Sequence, residues 1–140
     1  MKLYDKMVEN YFVRRGTKMK SILLVDDVEI NLDVLEAGLN HKYTIYTANS
    51  GHMALEALEE HPEIAAVITD IQMPKMDGVQ LIKRIRETKG MESMVIFVST
   101  AFGDLQMDTQ VRSLGVDGVI YKPISTDALE ARLDRALGGE

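Results

Sequence analysis

The stretch Ser21-Ile22-Leu23-Leu24-Val25-Asp26-Asp27 decides the fold. Four consecutive apolar residues end abruptly at two carboxylates. A short continuous apolar run of this kind reads as a strand covered on both faces. Residues 29–40 follow it, with Ile30, Val34, Leu35 and Leu39 at helical spacing. The first unit is therefore strand, acidic turn, helix.

Working outward, the same unit recurs. Residues 43–48 alternate β-branched and aromatic side chains and predict a strand. Residues 51–60 predict a helix carrying Met53, Leu55, Ala57 and Leu58, and Pro62 stops it. Residues 64–69 predict a buried strand with Asp70 behind it; Pro74 and Gly78 then bracket a loop. Residues 79–88 predict a helix with Leu81, Ile82 and Ile85 inward. Residues 94–99 predict a strand, with Thr100 after it, and residues 104–114 a helix carrying Leu105, Val111 and Leu114. Residues 117–121 predict the last strand, closed by Lys122-Pro123, and residues 126–137 the last helix, with Leu129, Leu133 and Leu137. Five strands alternating with five helices imply an α/β class fold, a doubly wound parallel sheet with right-handed crossovers. Ligands of such sheets sit beyond the carboxyl ends of the strands, where the strand order reverses.

Composition narrows the function. A chain of 140 residues suits one domain, and 46% apolar with 27% charged residues is ordinary for a globular protein. With no cysteine there are no disulfides, thiolate metal sites or Cys nucleophiles; this fits a reducing compartment but is not itself a localisation signal, and the location expected of the chain is cytoplasmic. No apolar run approaches the ~20 residues that span a bilayer. Residues 1–20 carry +4 and the remainder −10. So acidic a domain is a poor nucleic-acid binder but a good cation binder. Residues 1–19 form a basic extension with Leu3, Met7, Val8, Tyr11 and Phe12 at three- and four-residue spacing. It reads either as a helix for a partner or membrane surface, or as an upstream extension before a start at Met19.

Four of the five strands bring a polar group to the same edge: Asp26 and Asp27, Asp70, Thr100, and Lys122. Each alone has a structural explanation as a turn or capping residue. Together, three carboxylates at one rim need a cation, and oxygen-only ligands suit a hard divalent ion such as Mg²⁺. A carboxylate can attack phosphorus, and a hydroxyl and an ammonium can hold the phosphoryl oxygens. There is no glycine-rich nucleotide loop, so an activated phosphoryl group must arrive on another molecule.

These residues resemble the receiver domain of two-component response regulators over residues 20–140. The matching stretches are Leu23-Leu24-Val25-Asp26-Asp27, Asp70-Ile71-Gln72-Met73-Pro74-Lys75-Met76-Asp77-Gly78, Ser99-Thr100-Ala101 and Lys122-Pro123-Ile124. The intervals Asp27 to Asp70, Asp70 to Thr100 and Thr100 to Lys122 are 43, 30 and 22 residues. The resemblance implies a flavodoxin-like sheet of order 2-1-3-4-5. It makes Asp70 the phosphoacceptor, served by a phosphohistidine on a sensor kinase or phosphotransfer protein. It makes Asp26, Asp27, Asp70 and the Gln72 backbone carbonyl the ligands of Mg²⁺. Thr100 and Lys122 become phosphoryl partners, and the Lys122–Pro123 bond is expected cis. The domain is then a signalling switch rather than a conventional enzyme, catalysing its own phosphotransfer and slow dephosphorylation. Its output goes to a downstream protein or a fused domain.

One departure stands out. The family commonly has an aromatic residue three positions before the Lys, where this chain has Val119. Strand alternation puts Tyr121 on the face of Val119, so Tyr121 is the candidate switch contact beside Thr100. Phe102 is a candidate shield for the acyl phosphate, or a loop-packing residue. His41, His52 and His61 have no assigned role. Two other classes stay open: a receiver-like scaffold that is never phosphorylated, and a metal-dependent phosphohydrolase. The latter usually wants an acid where this chain has Gln72. The chain is either a stand-alone regulator or a piece of a larger regulator or hybrid kinase.

Overall fold

The computed structural model describes residues 19–101 and 105–138; the basic extension up to residue 18 and Phe102 lie outside them. The strands are β1 (Ser21–Val25), β2 (Thr44–Ala48), β3 (Ile64–Asp70), β4 (Val95–Ala101) and β5 (Gly118–Lys122). The helices are α1 (Glu29–Leu39), α2 (Gly51–Glu60), α3 (Gly78–Glu87), α4 (Leu105–Arg112) and α5 (Thr126–Ala136). All strand pairs are parallel, in the order β2-β1-β3-β4-β5. This is the flavodoxin-like arrangement expected. The order reverses between β1 and β3.

Strand alternation builds two cores. Leu23 and Val25 point to the side of Val67, Ile82, Ile85 and Val111, under α2, α3 and α4. Ile22 and Leu24 point to the side of Leu35, Leu39, Leu129 and Leu133, under α1 and α5. The helix starts are well specified. Ser50 Oγ accepts from Met53 N at 3.1 Å and Ser125 Oγ from Ala128 N at 3.2 Å. Asp77 and Gln80 form a reciprocal capping box on α3, at 2.9 and 3.1 Å. Each such cap contributes about 1 kcal/mol.

Two expectations are corrected. Asp70 and Lys122 are the last residues of their strands and Thr100 the last but one, rather than residues beyond them. The parallel ladder simply runs on, pairing Asp70 with Ser99 and Thr100 with Tyr121. On α1 the buried stripe is Leu32, Leu35 and Leu39, while Ile30 and Val34 face outward, 63% and 56% exposed.

Candidate functional site

The rim is assembled by register. Val25 of β1 pairs with Thr69 of β3, so the next residues, Asp26 and Asp70, lie side by side at the point of reversal. Ala101 pairs with Lys122, which brings the ammonium in from the far side. Carboxylate oxygens of Asp26, Asp27 and Asp70 lie within 4.8 Å of one another. Asp26 and Asp70 are buried, and Asp27 is exposed at the mouth. Lys122 Nζ is 3.2 Å from Asp70 Oδ1 and 3.7 Å from Asp26 Oδ2. Thr100 is buried in the neighbouring strand, with Ser99 beside it. The structure thus brings Asp26, Asp27, Asp70 and Lys122 together, with Thr100 one strand away from Asp70 along the same rim.

Local contacts aim these groups. Asp26 Oδ1 accepts from Val28 N at 2.9 Å, and Oδ2 from Asn31 Nδ2 at 3.1 Å. The Asp70 carboxylate accepts a backbone bond from Gln72. Thr69 Oγ1 donates to the Asp70 carbonyl at 2.9 Å. Asn31 and Thr69 are contributors that sequence reasoning missed. Asn31 had one signal, an amide on the first turn of the helix after the acid pair. The loop after β3 is tightly held. Gly78 N donates to Ile71 O at 2.9 Å, Lys75 takes a left-handed φ of 65°, and a Cβ on Gly78 would lie 2.5 Å from the Asp70 carbonyl oxygen. The Lys122–Pro123 peptide is cis.

Burial pushes the Asp70 carboxyl above the usual carboxylate range; the Lys122 ammonium pulls it back, and Asp26 adds to the rise. Packing three carboxylates against one ammonium leaves an excess of negative charge that a divalent cation relieves. The donor set is oxygen only and partly open to solvent, which fits a hard ion keeping several waters.

Val119 is buried and Tyr121 half-buried, and both pack on the α2–α4 side. Tyr121 Oη donates to Asp108 Oδ2 at 2.9 Å, and Asp108 Oδ1 accepts from Arg112 Nε at 2.8 Å. Tyr121 therefore ties β5 to α4 one residue from Lys122. The histidines serve elsewhere where contacts are seen: His41 meets Glu130 at 3.0 Å, and His61 stacks on Tyr46.

Residues 22–134 match the sequence model of the response regulator receiver domain. The chain is similar to the virulence sensor protein BvgS of Bordetella pertussis, 34% identical over 122 residues, covering 83% of this chain and 10% of that protein. It is also similar to the chemotaxis protein CheY homolog of Campylobacter jejuni, 31% identical over 121 residues, covering 84% of this chain and 92% of that one. Among solved structures, a response regulator of Chloroflexus aurantiacus superposes with a TM-score of 0.81 at 29% identity, covering 86% of this chain and 99% of that one. The chain spans only about a tenth of the length of BvgS. No helix among the described residues is long and apolar enough to cross a membrane. With the carboxyl rim, the 2-1-3-4-5 sheet and the match over most of its length in agreement, the chain belongs to the response regulator receiver domain family.

Proposed function

We propose that this domain is a phosphorylation-dependent switch in which Asp70 accepts a phosphoryl group from a phosphohistidine of a sensor kinase or phosphotransfer protein. The observation that carries this is the grouping of Asp26, Asp27 and Asp70 oxygens within 4.8 Å, with Lys122 Nζ 3.2 Å from Asp70. An Asp70 carboxylate oxygen forms the new bond to phosphorus as the phosphorus–nitrogen bond breaks, and the leaving imidazole keeps the electron pair and takes up a proton. Asp26, Asp27, Asp70 and the Gln72 backbone carbonyl would hold Mg²⁺, which when bound offsets the charge of the phosphoryl oxygens. Lys122 supplies a fixed positive charge on the opposite side, and the Thr100 hydroxyl donates to a phosphoryl oxygen. Asn31 and the Val28 N–H hold Asp26 in place.

Metal binding has a direct test. In chelator the carboxylates repel; with excess Mg²⁺ the folded state gains about 2.7 kcal/mol at a hundredfold excess over the dissociation constant. Thermal unfolding is expected to move up by several degrees on adding Mg²⁺, and not in Asp26→Asn/Asp27→Asn. An unchanged melting temperature in the native chain would remove the metal from the account.

The phosphoryl group brings about −1.5 to −2 of charge into this rim. It favours a conformation in which Thr100 moves toward the new oxygens, and β4 passes the shift to Tyr121, its register partner. The Tyr121–Asp108 bond then carries it to α4. Phosphorylated wild type is expected to gain affinity for its downstream target, and Tyr121→Phe, which loses only the hydroxyl, to gain less. Equal gains, measured by calorimetry, would take Tyr121 out of the switch.

A further inference from the structure

We propose that residues 1–18 dock on the outward face of α1. That face is unusual for this molecule. Of the five large hydrophobic side chains strongly exposed among the described residues, Ile30 and Val34 belong to it, at 63% and 56%, and Val28 stands at its N-terminal end as the helix cap, at 44%. Around them stand Asp27, Glu29, Asp33 and Glu36, and there is no Lys or Arg between Asp26 and His41. The charged side chains that α1 itself contributes to this face are therefore all acidic. A single turn of separation places Ile30 beside Val34, which is a stripe rather than scattered exposure.

The chain itself supplies a complementary occupant. Residues 1–18 carry Lys2, Lys6, Arg14, Arg15 and Lys18 against Asp5 and Glu9, a charge of +3. Leu3, Met7, Val8, Tyr11 and Phe12 supply matching apolar groups at three- and four-residue spacing. The segment joins the fold on the correct side. Lys20 Nζ donates to the Leu137 carbonyl just past α5, and the Lys20 carbonyl accepts from Thr44 N at 2.9 Å. The chain thus enters β1 beside the layer that α5 shares with α1. Reach is ample: eighteen residues span up to roughly 60 Å extended, and the eleven-residue α1 is about 16 Å long. The competing recess, between α2 and α3, is lined by Lys75, Lys83, Arg84 and His52 and repels a basic segment.

Docking does not depend on the phosphoryl-transfer reading. A recess of about 480 Å³ lined by Asp26, Asn31, Val34, Lys122 and Pro123 runs from this face to the rim.

The test uses the full chain, which has no cysteine of its own. A nitroxide on Asn10→Cys is expected to broaden amide resonances of residues 28–37 at least threefold more than those of α3. Ile30→Asp/Val34→Asp should remove that preference, as should Arg14→Glu/Arg15→Glu, which leaves the described fold untouched. Even broadening across the surface would overturn the proposal. So would broadening seen only when labelled and unlabelled copies are mixed, which assigns the face to a second copy. Binding of the segment to anionic lipid vesicles with α1 unbroadened would also overturn it.

Discussion

Asp70→Asn is expected to show no mass increase under conditions in which the native chain, with Mg²⁺ and a small phosphodonor such as acetyl phosphate, gains one phosphoryl group. The amide keeps the shape of the carboxylate but offers no oxygen nucleophile. Asp26 and Asp27 do not substitute for it: Asp26 is held by Val28 N and Asn31, and Asp27 lies at the exposed mouth. A phosphorylated Asp70→Asn chain would reassign the acceptor. The same variant carries a stability prediction of definite sign. Burial raises the Asp70 carboxyl above its ordinary value, so the unfolded chain gives up this proton at lower pH than the folded one. Metal-free stability therefore falls as the pH rises from the ordinary carboxylate range through the raised value. In chelator at pH 7, Asp70→Asn should melt a few degrees above the native chain, and the gap should close below pH 4. With excess Mg²⁺ the order should reverse.

Gly78→Ala is expected to damage both stability and phosphorylation although it touches no charged group. A Cβ there would lie 2.5 Å from the Asp70 carbonyl oxygen and 2.8 Å from Ile71 Cα, and neither backbone atom can rotate aside. Either α3 or the end of β3 must move. Overpacking of this kind costs about 2 kcal/mol, or roughly 8 °C in melting temperature for a domain of this size. A displacement of about 1 Å at the reacting carboxylate costs about a hundredfold in rate. Intact-mass time courses with acetyl phosphate would show it. An alanine variant with unchanged rate would mean that the contact between α3 and β3 does not position Asp70.

The rim was legible in the sequence because each of its groups stands where an apolar run stops. Asp26-Asp27, Asp70, Thr100 and Lys122 could be placed on one edge without knowing any distance. The strand ends were less legible: whether β4 stops at Ser99 or continues through Thr100 depends on pairing with β5, which a single strand's composition does not contain. The orientation of α1 was misread for a definite reason. Residues 30, 34 and 35 and residues 32, 35 and 39 both satisfy helical spacing, and only packing against β1 and α5 selects Leu32 over Ile30. Asn31 went unread with it, since its bond to Asp26 follows from that rotation. Gly78 was visible only as a loop residue; its role depends on how closely α3 approaches the backbone of β3.

The residue that carries the phosphoryl group can be identified chemically. The chain is incubated with Mg²⁺ and acetyl phosphate, reduced with borohydride so that an acyl phosphate becomes an alcohol, and cut with trypsin. A single converted residue is expected, Asp70, in the fragment 43–75, with no conversion in chelator. Conversion of Asp26 or Asp27 in the fragment 21–42, or equal conversion without a divalent cation, would contradict it.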